Sequence, residues 1–171
     1  MRFPPIPIKQ QHKKGITVND SDREIIDHLT RTRNKTLEFL RAVPDEMLSR
    51  KPEAEFGTVG ALFLHAGCGG SWWMANVMKD GKSSSEPKFS SKEDAITAIE
   101  SSRDRLYDFF SADDRKTLAT TYTWVDESGV KREWTGRNRL LYILDHEVHH
   151  RGKIVLALEQ WGFDDTPFIP F

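Results

Sequence analysis

The 171-residue chain has a single cysteine, Cys68, which excludes an intramolecular disulfide framework and suits a reducing compartment. Long hydrophobic runs are missing too: no stretch reaches the roughly 18 apolar residues of a membrane span. The opening "MRFPPIPIKQQHKKG" lacks the continuous apolar segment of a signal peptide. A cytoplasmic address is expected, with no membrane partner. Charge of one sign is not in excess either, since 25 Lys and Arg face 26 Asp and Glu without a long single-sign run. That balance gives little electrostatic reason to expect nucleic acid, and a small-molecule substrate is the expectation. There is no internal repeat or low-complexity tract, and the length suits one core.

What is present is helical periodicity. Residues 1–18, with three of the eight prolines, read as an extended lead-in. Asn19 or Asp20 then caps a helix carrying Ile25, Ile26, Leu29, Leu37 and Leu40, which Pro44 stops. Thr58 caps a second, strongly apolar helix, "VGALFLHAGCGGSWWMANVMKDG", closed by Gly81. Ser91 opens a third through a Ser-x-x-Asp box, with Ala95, Ile99, Leu106 and Phe110 as its apolar stripe. Thr135 caps the fourth, which runs to Gly162. Between the third and fourth, β-favouring residues flank "DESG", so a short hairpin or an irregular excursion is expected, either closing over a site or merely connecting helices. The fold class expected is all-α, an antiparallel four-helix bundle over residues 19–162, with an apolar tail at 163–171.

The fourth helix poses a chemical question. "LLYILDHEVHHRGKIVLALEQWG" places His146 and His150 four residues apart, about 40° apart around the axis and about 6 Å along it, so both imidazoles can reach one metal ion. His149 points away from the pair. Open metal sites usually have three protein ligands, and the candidates for the third are His12, His28 and His65. His65 is preferred because it lies in the apolar body of the second helix, where an unpaired imidazole is costly to bury.

A histidine on the second helix followed far downstream by "HEVHHRG" on the fourth resembles the DinB/YfiT-like superfamily of metal-binding four-helix bundles, over roughly residues 20–162. The pattern His-x-x-x-His-Arg-Gly falls on His146, His150, Arg151 and Gly152, and the second-helix ligand on His65. A familiar version continues with Gln where this chain has Lys153. The resemblance implies a three-histidine site for zinc, nickel or a similar divalent ion. It also implies an activity of the hydrolase or low-molecular-weight-thiol S-transferase kind, with such a thiol as co-substrate, and a homodimeric assembly. A metal in such a site would activate water or the thiol near neutral pH.

Two rival readings stand beside it. His146-Glu147-Val148-His149-His150 satisfies the His-Glu-x-x-His signature of zincin peptidases, with Glu147 as general base. Zincins draw their third ligand from downstream, however; no histidine follows His150, and the acidic candidates there are Glu159, Asp164 and Asp165. The other rival is a non-catalytic metal-binding stress-response module. Arg139, two turns before the pair on the same face, is a candidate catalytic residue that would hold an anionic substrate group, against the plainer reading of a solvated or salt-bridged arginine. Cys68 is a fourth ligand or a small buried hydrophobe, Arg151 is expected in a structural ion pair or packed through its stem, and Tyr142, which tilts toward the histidine face, and the five tryptophans are expected mostly to supply buried area rather than to line a pocket.

Overall fold

The computed structural model describes residues 20–53, 55–79, 81–82, 85, 87–111 and 116–163. The expected lead-in, Asn19 as cap and the tail beyond Phe163 lie outside them. Among the described residues the chain forms seven helical segments and one two-stranded sheet.

Helix α1 (Asp20–Ala42) buries Leu29, Leu37, Phe39 and Leu40, and the same helix carries a buried polar stripe of Thr32, Arg33 and Thr36. Pro44 ends it as expected, and its carbonyl accepts from the amides of Met47 and Leu48, starting the one-turn helix α2 (Asp45–Leu48). Helix α3 (Val59–Cys68) is capped by Thr58, whose hydroxyl oxygen accepts from the Ala61 amide at 3.3 Å. Such a cap contributes about 1 kcal/mol. Eight of its ten residues are buried, Cys68 among them.

The second helix is not the single rod expected. It is divided at Gly69, continues as α4 (Gly70–Asn76), and stops before Gly81, with Lys79 and Gly81 both at positive φ. The division falls beside α7: a Cβ at Gly69 would lie 2.9 Å from His146 Cε1, and 2.7 Å from the His65 carbonyl oxygen of the preceding turn. Only glycine permits that approach, and glycine is also a weak helix former.

Helix α5 (Lys92–Ser111) begins at Ser91, whose hydroxyl accepts from the Asp94 amide at 3.1 Å, and Ser90 donates to the Asp94 carboxylate at 2.6 Å. Ala95, Ile99, Leu106 and Phe110 are all buried, as the spacing predicts. After the short α6 (Lys116–Ala119), strands β1 (Thr121–Val125) and β2 (Lys131–Thr135) pair antiparallel, with Tyr122 opposite Trp134 and Trp124 opposite Arg132. Of the two expectations for this segment the hairpin is therefore the one realised. Asp126 closes its turn: one carboxylate oxygen accepts from the Ser128 and Val130 amides, the other from Arg132 Nε at 2.8 Å, and Gly129 takes φ +77°.

Helix α7 (Gly136–Gln160) starts at Thr135, whose hydroxyl accepts from the Asn138 amide at 3.2 Å. α3 packs on α5 and α7, and α1 packs on the same two helices. The apolar interior falls into two clusters. One gathers Phe39, Phe63, Ile99, Ile154 and Leu158, the other Leu29, Met74, Leu106, Leu140 and Leu144. Each buried Leu, Ile or Phe contributes roughly 1.5–3 kcal/mol. Along α7 the clusters occupy the two ends of the helix, and residues 146–151 form a polar waist between them. No described helix is long and apolar enough to cross a membrane.

Candidate metal centre

Because α3 lies against α7, His65 comes to the pair presented by α7. The three rings form a nearly equilateral triangle, with centroids 4.8 Å (His65 to His146), 4.6 Å (His65 to His150) and 4.5 Å (His146 to His150) apart. One nitrogen from each ring lies within 4.8 Å of the others, and the Nε2 atoms of His65 and His146 are 3.1 Å apart. Two imidazoles bound tetrahedrally to one ion at about 2.1 Å hold their nitrogens about 3.4 Å apart, so this pair is spaced much as ligands are. His150 fits in a second way. It is buried, and its Nδ1 is enclosed with no hydrogen-bond partner. Burial first, then the neighbouring His146 and His65, push its pKa down to about 3, so at neutral pH its ring is uncharged and keeps a lone pair. Three convergent imidazole donors suit a borderline divalent ion.

Two openings reach the cluster. A cleft of about 890 Å³ is lined by His65, Gly69, Trp72, Trp73, Trp124, Tyr142 and His146 among others, and a smaller one of about 480 Å³ meets His65 from the side of Phe56, Lys88 and Phe89. Phe56, exposed at the rim, sets its ring edge-on to His65 at 5.0 Å. Sequence reasoning missed it, since a lone aromatic in the loop "EAEFG" belongs to no periodic pattern.

The other predicted residues separate from the triangle. Glu147 follows His146 in the chain, yet its carboxylate is turned into the interior, 2.5 Å from Arg33 Nε, and accepts from Thr36 Oγ1 at 2.6 Å. Arg33 also donates to the Gly67 carbonyl, and Arg151 donates to the Thr32 carbonyl at 3.1 Å. Burial lowers the Arg151 pKa while Glu147 opposes the shift, and the guanidinium is held at the Thr32 carbonyl. His149 is exposed, its ring 5.1 Å from that of His150. Cys68 is buried in the apolar interior and is not among the clustered donors. Lys153 pairs with Glu55 at 2.9 Å.

Arg139 is not solvated, and no described residue forms a salt bridge with it. Its side chain is 2 % exposed, its guanidinium lies over the Trp73 ring, and Trp134, Tyr142 and Trp124 stand around it at 4.8, 4.6 and 5.8 Å. The aromatic residues likewise depart from expectation: none of the five tryptophans is in the buried core, and Trp72, Trp73, Trp124 and Tyr142 wall the larger cleft. Helical spacing located Tyr142 correctly on the His face, but it could not tell that this face opens to solvent.

Known proteins share this arrangement of helices. The profile of the DinB family matches residues 13–168. The uncharacterized protein YjoA of Bacillus subtilis (strain 168) is 25% identical over 154 residues, covering 85% of this chain and 94% of YjoA. Among solved structures, a DinB-like protein from Bacillus cereus ATCC 10987 superposes with a TM-score of 0.66 at 19% identity, covering 86% of this chain and 97% of that one. A member assigned to the same family from Exiguobacterium sibiricum 255-15 gives 0.65 at 17% identity, covering 92% and 98%. With nearly its whole length matched, the chain belongs to the DinB family.

Proposed function

We propose that the chain is a metal-dependent enzyme acting on a small molecule. In this reading α1, the α3 and α4 pair, α5 and α7 are the four members of a DinB-type bundle, and His65, His146 and His150 hold one divalent ion, zinc or nickel. The observation that carries it is the convergence of three imidazoles, two of which, His65 and His146, line a cleft of about 890 Å³. A structural ion would be enclosed, whereas a catalytic one keeps a position open to solvent. When bound, such an ion lowers the pKa of water or a thiol, so that hydroxide or thiolate is available near neutral pH. Hydrolysis of the substrate, or transfer of a low-molecular-weight thiol to it, follows from that one property.

The chain's own residues do the rest. His150, uncharged at neutral pH, offers a donor without first losing a proton. Trp72, Trp73 and Tyr142 give the cleft apolar walls that grip a substrate and thin the water around it. Glu147 has no part as a base here, because its carboxylate is engaged with Arg33 and Thr36. A peptidase of the His-Glu-x-x-His kind would need that carboxylate against the reacting water.

The test is metal content by plasma mass spectrometry on untagged protein, wild type beside His65→Ala, His146→Ala and Glu147→Ala. The expected result is about one ion per chain, lost in both histidine variants and kept in Glu147→Ala. Full occupancy in His65→Ala would remove the third ligand. No ion even after reconstitution would withdraw the enzyme reading.

A further inference from the structure

Arg139 is a buried cation without a counter-ion among the described residues. Its Nε, Nη1 and Nη2 are all enclosed and none has a hydrogen-bond partner. A guanidinium carries five donors in a planar fork and keeps its charge at neutral pH, so leaving all of them unmatched is costly unless something else answers them. Aromatic faces offset part of that cost through cation–π attraction. They do not accept the hydrogen bonds.

The position of this cation gives it meaning. Three of the four rings around it, Trp73, Trp124 and Tyr142, are also walls of the larger cleft. The guanidinium therefore lies directly behind the cleft lining. Along α7 it belongs to the residue seven before His146, on the same face and about 10.5 Å away along the axis. Tyr142 bridges the interval, its ring 4.6 Å from the guanidinium carbon and 6.1 Å from the His146 ring. The cleft's acidic residues, Asp126 and Glu127, belong to the hairpin turn, and Asp126 is already bound to Arg132 and to its own turn.

We propose that the cleft takes a ligand with a carboxylate at one end and an apolar or aromatic body. Arg139 receives the carboxylate in a two-pronged hydrogen bond, and the body lies along Tyr142 toward the histidine triangle. To admit it, the indole of Trp124 turns aside from the guanidinium. The inference rests on the cleft being the substrate site of the proposed enzyme, and names the substrate class: organic acids whose reacting atom lies about 10 Å from the carboxylate, the span set by two turns of α7.

The experiment titrates full-length protein with 3-phenylpropionate and with its uncharged counterpart 3-phenylpropionamide, reading tryptophan fluorescence. Wild type is expected to bind the acid at least about tenfold more tightly than the amide. His65→Ala is expected to keep that preference, so the result stands even where the metal reading fails. Arg139→Gln is expected to lose it, and Arg139→Lys, which keeps the charge but not the fork, to weaken the acid while leaving the amide unchanged. Equal or absent binding of the two probes by wild type overturns the proposal without recourse to any variant. Preference that persists in Arg139→Gln, or that vanishes in His65→Ala because the acid sat on the ion, overturns it as well.

Discussion

Nε of Arg33 on α1 lies 2.5 Å from Oε2 of Glu147 on α7, and both side chains are closed off from solvent. A pair of this kind adds little net stability over apolar replacements, but removing one member strands the other charge. Glu147→Ala is therefore expected to lower stability by about 3–5 kcal/mol, with Arg33→Ala similar and the double variant well short of the sum. Urea denaturation of the four proteins measures the coupling. An additive cycle would mean that the two charges do not act as a pair.

Gly69 and Gly152 are both helix-region glycines beside the histidines, yet they should respond oppositely to alanine. At Gly69 the new methyl would meet the His65 carbonyl and the His146 ring, so Gly69→Ala is expected to cost about 1–3 kcal/mol and to reduce bound metal. At Gly152 nothing lies within 4 Å, and Gly152→Ala is expected to gain up to about 1 kcal/mol from helix propensity alone. Thermal melts beside metal analysis separate the two. Equal loss at both positions would contradict the contacts described.

Acid should weaken the metal-free protein in a defined window. The His150 pKa is depressed to about 3 by burial and by the other histidines, so below the ordinary value of 6.5 the unfolded chain takes up a proton that the folded chain refuses. The contribution is absent above about pH 6.5 and grows as pH falls toward 3, at no more than about 1.4 kcal/mol per pH unit. Stability of wild type and His150→Gln in chelator, measured from pH 7 to 4.5, should show the shallower slope in the variant. Identical slopes would place the proton elsewhere.

Lys153→Gln restores the residue of the familiar motif. Lys153 is 38 % exposed and its partner Glu55 10 %, so the pair is half-open to solvent. Stability is expected to change by less than about 1 kcal/mol and metal content not at all. A large loss of bound ion would make the lysine part of the site.

Much of this molecule was legible where the signal is local. Thr58, Ser91 and Thr135 mark their helix starts because a capping hydroxyl acts within three residues of itself. The i, i+4 spacing brings His146 and His150 onto one face for the same reason. What was not legible depends on the neighbouring helix. The division at Gly69 coincides with a close approach to His146, and the direction of Glu147 is decided by Arg33 and Thr36, more than a hundred positions away. The one-turn helices α2 and α6 are too short to show periodicity. The aromatic cage around Arg139 joins residues from α4, both strands and α7, and no stretch of sequence contains it.

The hairpin satisfies its own backbone through strand pairing and the Asp126 turn, and it touches the helices mainly through the side chains of Trp124, Trp134 and Tyr122. Residues 121–135 are tied to the helices at two points, Thr135 as the cap of α7 and Tyr122 against the cluster of Leu140 and Leu144, so the stretch freest to change without moving the triangle is the turn at 126–130. The helices thus carry the three histidines, and the hairpin shapes one wall of the cleft beside them.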